Sequence, residues 1–453
     1  MKKILLCLFL IVELSGCHIY RAYERPDVAI TDSIYRQTVE QNDTASLASL
    51  SWRELFTDPQ LQQLIETGLA NNTDLGIARL KVKEAEALLM TSRLSYLPSL
   101  SLNPQGTLTS VDGNKPSKTY NLAASAEWEI DLFGKLLNSK RGAQAALEQS
   151  EAYRQAVQTQ LVATIANSYY TLLMLDEQLD ITRRTAETWN ESVRAIKALK
   201  QAGEATEMAV AQTEAGKLSV DASVLSIERQ INEMENSLSI LLGLSPQAIN
   251  RSTLEAQQFP DTLSAGIPLQ LLSRRPDIRQ SETQLAVAYY ATNSARAAFY
   301  PGITLSGSAG WTNSAGAAIT NPGQWLLTAI GSLVQPLFSR GKNIANLKVA
   351  KAQQEEALLA FRQSLLNAGA EVNDALVQWQ TARRRIQLDE QQTTSLRSAL
   401  RSSELLMQHS SQNYLEVLTA RQSLLQAELD TATDRFDEIQ GVINLYHALG
   451  GGY

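Results

Sequence analysis

The chain has 453 residues, 44% of them hydrophobic, with 40 basic and 47 acidic side chains and a net charge of −7. That length and apolar content suffice for a substantial core. The near balance of charge, without basic runs or interleaved cations and aromatics, argues against a nucleic-acid partner.

The N-terminus carries Lys2 and Lys3, an apolar stretch from Ile4 to Val12, and then Leu14-Ser-Gly-Cys17. The layout is that of an export signal, and the apolar stretch is too short to span a bilayer as a helix. Leu-Ser-Gly-Cys resembles a bacterial lipobox. Residues 1–16 are then a lipoprotein signal peptide, and Cys17 is the acylated first residue of an extended segment, 17–50. An ordinary signal peptide with an incidental cysteine is the alternative. Only two cysteines occur, and Cys7 lies in the removed segment, so an acylated Cys17 leaves no thiol and no disulfide. Lys2, Lys3 and Glu13 leave with the signal, and the net charge becomes −8. More than one acyl chain on Cys17 would hold this end at a membrane.

None of the 12 prolines lies between Ser117 and Ser245 or between Leu337 and Tyr453. A proline inside a helix costs about 3 kcal/mol, so these two windows suggest long helices. The chain also echoes itself at a shift near 205, in order and with small changes of register. Asn72-Thr-Asp-Leu75 falls on Arg275-Pro-Asp-Ile278, Leu97-Pro-Ser-Leu-Ser-Leu102 on Tyr300-Pro-Gly-Ile-Thr-Leu305, and Leu242-Gly243 on Leu449-Gly450. That distance fits an internal duplication, with residues 51–250 as the first structural repeat and 251–453 as the second.

Each repeat reads as a helix, two strands and two very long helices. In the first, a helix from Leu75 to Leu94 has Asp74 as its expected cap. Period-two alternation then marks strands at about 99–111 and 118–132. On the second of these Tyr120, Leu122, Ala124, Ala126, Trp128, Ile130 and Leu132 share one face, with Glu127, Glu129 and Asp131 on the other. Long helices follow at about 136–200 and 205–242, broken near Ala202-Gly203. A three-four spacing from Thr164 through Leu172, Leu175, Thr182, Trp189, Val193 and Ile196 marks their seam. The second repeat has strands at about 302–314 and 324–336 and helices at about 342–407 and 413–449.

Each strand is long enough to cross a bilayer, which takes roughly 9–11 tilted residues. A soluble β-sandwich corner would show the same alternation. If the strands sit in a membrane, four cannot close a barrel, because an open edge in lipid leaves backbone groups unpaired. Copies must then combine: two would give eight strands with a filled interior, and three would give twelve with room for a lumen, the number a channel favours. The fold class is a mixed α/β membrane protein.

Between strand and helix the sequence supplies a change of direction-free geometry rather than a turn. Glu127-Trp-Glu-Ile-Asp-Leu-Phe-Gly-Lys135 places Gly134 at the first junction, and Gln335-Pro-Leu-Phe-Ser-Arg-Gly-Lys342 places Pro336 and Gly341 at the second.

These features together resemble the TolC-like outer-membrane efflux channels, in their lipoprotein branch. The resemblance is carried by Leu14-Ser-Gly-Cys17, Tyr23-Glu-Arg-Pro26, Trp52 with Phe56 and Asp58-Pro59, Trp128 to Lys135, Arg275-Pro-Asp-Ile278 and Tyr414-Leu-Glu-Val-Leu-Thr-Ala420. It implies a homotrimer in the outer membrane, with a twelve-stranded β-barrel continuous with a long α-helical periplasmic barrel. It also implies two partners, a periplasmic adaptor and an inner-membrane transporter, with substrate leaving through the lumen. The periplasmic aperture would lie near Gln201–Val210 and His409–Leu418. Glu416 matches a position where relatives carry an acidic residue at the mouth; Glu204 and Glu207 are further candidates. Three like charges around an axis would repel each other and draw cations, whereas a solvated helix-surface glutamate would do neither. Relatives' Tyr and Arg latch positions fall here on Met407 and Gln412, which speaks against a polar latch of that kind.

An enzyme is disfavoured. His18, His409 and His447 are scattered, with no metal-ligand spacing, and no cofactor is expected beyond the covalent lipid. A lipid-anchored coiled-coil scaffold or adhesin without a pore is the alternative reading. It needs no membrane-spanning strands. The cargo is not encoded in any recognisable motif.

Overall fold

The computed structural model describes residues 20–26, 50–257, 259, 275–313, 324–409 and 414–452. The elements in chain order are α1 (Trp52–Leu55), α2 (Pro59–Asn71), α3 (Thr73–Leu94), β1 (Ser99–Thr109), β2 (Ser117–Ile130), α4 (Lys135–Gln201) and α5 (Glu207–Leu241). The second half follows with α6 (Pro276–Ala297), β3 (Gly302–Asn313), β4 (Gln324–Val334), α7 (Lys342–His409) and α8 (Tyr414–Ala448). The chain divides into two compact units, the first comprising 1–28, 80–152 and 279–363 and the second the remainder. Among the described residues no helix is long and apolar enough to cross a membrane.

The first unit holds one antiparallel sheet in the order β1-β2-β3-β4. Its register sorts the side chains by face. Ser101, Ser125, Ser308 and Thr328 stand in one row across all four strands, and Leu102, Ala124, Ala309 and Leu327 in the next. Because successive residues of a strand point to opposite faces, one face carries hydroxyls and the other carries apolar groups. The Ser101 and Ser125 hydroxyls are hydrogen-bonded at 2.8 Å, and Asn103 Nδ2 donates to Ser125 Oγ at 3.0 Å. On the apolar face Leu100, Leu102 and Leu108 are exposed. Every residue of β1 is exposed, so no second layer among the described residues covers it. Gly310 is required by a close approach: a Cβ there would lie 2.2 Å from the Leu122 carbonyl oxygen of the neighbouring strand.

The second unit has the hydrophobic core. Phe56, Leu61 and Ile65 of the first two helices and the segment between them pack with Tyr169 and Leu172 of α4, Leu238 of α5 and Tyr446 of α8. Ser51 and Glu54 form a capping box for α1, and Asp58 caps α2, whose first residue is Pro59. Along α4 the seam residues Leu172, Leu175, Thr182, Trp189, Val193 and Ile196 are buried. Small residues allow close packing: a Cβ on Gly216 of α5 would strike the Trp189 ring at 2.3 Å.

Two local expectations are corrected. Asp74 does not cap α3. The helix begins two residues earlier, at Thr73, and Asn72 Oδ1 accepts from the Leu75 amide at 2.9 Å while its Nδ2 donates to the Leu241 carbonyl at 2.9 Å. Asn72 can do both because an amide carries a donor and an acceptor, which Asp74 lacks. Asp131 does not continue the polar face of β2, which ends at Ile130. Its carboxylate turns to accept from the Leu137 amide at 2.7 Å, satisfying one of the free donors at the start of α4.

Candidate functional site

Two strand-to-helix junctions occur in the first unit, and they share a geometry. Gly134 has φ 72° and Gly341 has φ 79°, each immediately before the first residue of a long helix. Both carbonyls start the helical ladder, accepting from Asn138 N at 3.0 Å and Ala345 N at 2.9 Å. A positive φ at this point turns the extended chain onto the helical path, and glycine is the residue that adopts it without cost. Asn138 Nδ2 adds a bond to Gly134 O at 2.6 Å, and Lys135 pairs with Glu129 at 2.7 Å. Phe133 stacks on Tyr300 with ring centroids 4.9 Å apart.

The second junction is built with less packing. Pro336 lies two residues past the end of β4, Arg340 also has positive φ (52°), and Gln335 Nε2 donates to Phe299 O at 2.9 Å. Leu337 and Phe338 between them are 92% and 86% exposed, a pair of large apolar side chains that no described residue covers.

Residues 20–26 run along the same unit. Tyr23 N donates to Tyr290 Oη at 3.2 Å, Tyr289 Oη donates to Arg21 O at 3.1 Å, and Arg25 lies over the Phe361 ring and 3.5 Å from Glu282. The Tyr20 ring sits beside Gly134, 3.4 Å from where a Cβ would stand. Burial raises the Tyr20 phenol above its ordinary range, with Tyr300 adding to the effect. Cys17 lies outside the described residues, three positions before Tyr20.

The candidate aperture residues belong to the second unit. Thr206 caps α5 by accepting from Ala209 N at 3.2 Å, and the preceding turn carries Gly203 at φ 80°. Glu204, Glu207 and Glu416 are all exposed. Glu207 is neutralised by an ion pair with Lys200, whereas Glu204 and Glu416 have no ion pair among the described residues. The start of α8 is held against the α4–α5 turn: Tyr414 Oη donates to Gln212 Oε1 at 2.6 Å, and its ring packs with Ile196, Ala209 and Val210. The described start of α8, in the second predicted stretch, thereby meets the end of the first within one chain. Met407 is half-buried on α7; Gln412 and the turn at 410–413 lie outside the described residues.

Sequence reasoning missed Arg421. Its guanidinium joins three helices, donating from Nη1 to the Thr188 carbonyl of α4 at 2.8 Å and to Ser192 Oγ, and from Nη2 to Glu404 of α7 at 2.7 Å. It also missed the buried set around Asp58, which accepts from Tyr169 Oη at 2.6 Å, Ser252 Oγ at 2.5 Å and Gln60 N at 2.9 Å. Burial alone would raise the Asp58 carboxyl, but these donors outweigh it and hold it below its usual range. Burial and Asp58 together push Tyr169 up to about 12. Among the described residues no group of acidic, histidine or cysteine side chains could hold a metal ion.

The chain matches the family described as outer membrane efflux protein over residues 64–244 and 267–451. It is 28% identical to the cation efflux system protein CusC of Escherichia coli K12 over 450 residues, covering 97% of each chain. To the pyoverdine export outer membrane protein OpmQ of Pseudomonas putida it is 31% identical over 444 residues, covering 94% of this chain and 93% of that one. Among solved structures, the open state of the Neisseria gonorrhoeae MtrE outer membrane channel superposes with a TM-score of 0.85 at 29% identity. That match covers 96% of this chain and 98% of the other.

Proposed function

The chain belongs to the outer membrane efflux protein family and is the outer-membrane component of an efflux pump, and we propose that it forms the exit duct of a tripartite assembly. Three copies would close a twelve-stranded barrel, continuous with a helical barrel in the periplasm. An adaptor and an inner-membrane transporter would complete the path. The supporting observation is the sheet itself: four strands with a hydroxyl face and an apolar face, ending in β1 and β4, which have no further strand partner among the described residues. In lipid such edges must be paired, and two neighbouring copies supply the partners. The apolar face would meet lipid and the hydroxyl face the water-filled lumen.

Cys17 would carry the lipid and anchor the N-terminus in the outer membrane. No cofactor is required, because the transporter supplies the energy. Gly134, Pro336 and Gly341 would let the wall pass from strand to helix. Glu416 and Glu204 would line the periplasmic mouth, with Glu207 a weaker contributor because Lys200 neutralises it. The scaffold reading has no use for a two-faced sheet and is not favoured.

Channels of similar likeness to this chain carry names that refer to cations and to pyoverdine. Cargo choice would therefore rest with the transporter rather than the duct. The test is conductance of the purified, acylated protein in planar bilayers. Ion-conducting steps from a trimer are the expected result; a trimer that never conducts, with Glu416 also replaced by Ala, would overturn the reading.

A further inference from the structure

Between α7 and α8 two carboxylates from different helices meet in a buried place. Asp434 is wholly buried, at 0% exposure, and Asp389 lies within hydrogen-bonding reach of it. Arg385, one turn before Asp389, brings Nη2 to 2.9 Å from Asp434 Oδ1. That contact is an ion pair and not an aligned hydrogen bond: among the described residues no hydrogen bond reaches either carboxylate oxygen of Asp434 or Oδ2 of Asp389. Thr393, one turn beyond Asp389 and 8% exposed, likewise has an unpartnered hydroxyl. Buried acceptors without donors are costly, and two buried carboxylates side by side cannot both stay ionised cheaply.

What the pair lacks is one donor hydrogen. We infer that Asp389 and Asp434 form a proton-binding site in which a single shared proton joins α7 to α8. Protonated Asp434 donates to Asp389, the pair carries one negative charge, and Arg385 balances it. Loss of the proton puts two negative charges in contact and weakens the helix pairing at this level.

The surrounding charges fit this assignment. Besides Arg385 and Asp389 from α7, the groups facing Asp434 include Asp437 one turn along α8, whose own carboxyl is raised by burial despite Arg385. Arg383 and Glu438 neutralise each other at 3.4 Å. From α4, Gln178 Nε2 donates to the Oγ1 of Thr433, the residue before Asp434, at 3.1 Å. Burial and Asp389 push Asp434 up to about 7. Thr393 also lines a polar cavity of about 260 Å³ with Glu177, Arg184, Arg397, Glu428 and Arg435. Since the folded protein holds a proton that the unfolded chain would release near pH 4, this site's contribution to stability falls as pH rises from about 4 to about 7 and is flat above that.

The experiment uses the intact trimer in detergent. Infrared difference spectra between about pH 5.5 and about pH 8 should show a carboxylic-acid carbonyl band lost on going to alkaline pH, absent in both Asp434→Asn and Asp389→Asn. Thermal unfolding should show the wild type losing stability over that range and Asp434→Asn, whose amide supplies the donor permanently, losing less. If neither variant assembles, the wild-type band and its titration still decide. No carboxylic-acid band titrating in this range, or one that both variants retain, would overturn the assignment.

Discussion

Arg275 donates from Nη1 to the carbonyl oxygen of Ala448 at 2.8 Å, closing the end of α8 onto the start of α6. Asn72 does the same for the first repeat, donating to Leu241 at the end of α5 at 2.9 Å. Gly450 and Gly243, with φ 85° and 71°, stand against Arg275 and Asn71 respectively. The two halves of the chain are thus fastened at equivalent ends, although the fastening residues differ.

Arg275 is the stronger fastener. It is 3% exposed and also binds Asp277 through two bonds, at 3.0 and 2.7 Å, and Glu371 at 2.6 Å. Arg275→Ala leaves the Ala448 carbonyl and Asp277 without their donor, and should cost about 2–4 kcal/mol. Arg275→Lys should recover little, because one ammonium cannot reproduce the two-pronged contact. Thermal denaturation of the two variants checks this; near-wild-type stability of the lysine variant would show that charge alone suffices.

The two junction glycines make a graded pair. Alanine at either must adopt positive φ, at a cost of about 1–2 kcal/mol. At Gly134 the new Cβ also meets Asn138 Nδ2 at 3.3 Å and Tyr20 at 3.4 Å, whereas nothing lies within 4 Å at Gly341. Gly134→Ala should therefore lower assembled protein in the outer membrane more than Gly341→Ala. Equal assembly of wild type and Gly134→Ala would remove the special role assigned to this glycine.

Much of this was legible in the chain. The missing prolines and the three-four seam depend only on helical geometry, and the ends read for the long helix, 136–200, lie one residue from those of α4. Strand alternation is equally local, and four strands per chain follow from it. Features set by distant partners were hidden. Asn72 replaces Asp74 as a cap because it must also reach Leu241; Asp131 leaves the strand face because α4 begins four residues on and offers the Leu137 amide. Arg421, Asp389 and Asp434 read as ordinary charged positions on long helices. Only the packing of helices far apart in sequence buries them, and no spacing rule announces such a meeting.

Asp58 makes a pH prediction. Its folded-state carboxyl is held below the usual range, so it stabilises the fold above the unfolded value of about 3.9, and this contribution is lost as pH falls through the lower folded value. Asp58→Asn should therefore be less stable than wild type at neutral pH, and the gap should narrow below about pH 4. Acid and thermal unfolding of the pair reads it directly. Tyr169→Phe, which removes one donor at 2.6 Å, should weaken the wild type's advantage without abolishing it, because Ser252 and Gln60 remain.

The glutamates proposed for the aperture are separable by their ion pairs. Glu207 is already matched by Lys200, so Glu207→Gln should change ion selectivity least and should cost little stability, since an exposed pair is worth about 0–1 kcal/mol. Glu416→Gln removes an unpaired charge at the first turn of α8. In a trimer it removes three, and cation preference in planar bilayers should fall clearly, with Glu204→Gln intermediate. Tyr414→Phe gives the matched control: it removes the bond to Gln212 while keeping every carboxylate. It should alter how readily the channel opens and leave cation preference unchanged. If Glu416→Gln and Glu207→Gln shift selectivity equally, the ring of unpaired charge is not what the ions meet, and Glu416 is a solvated surface residue.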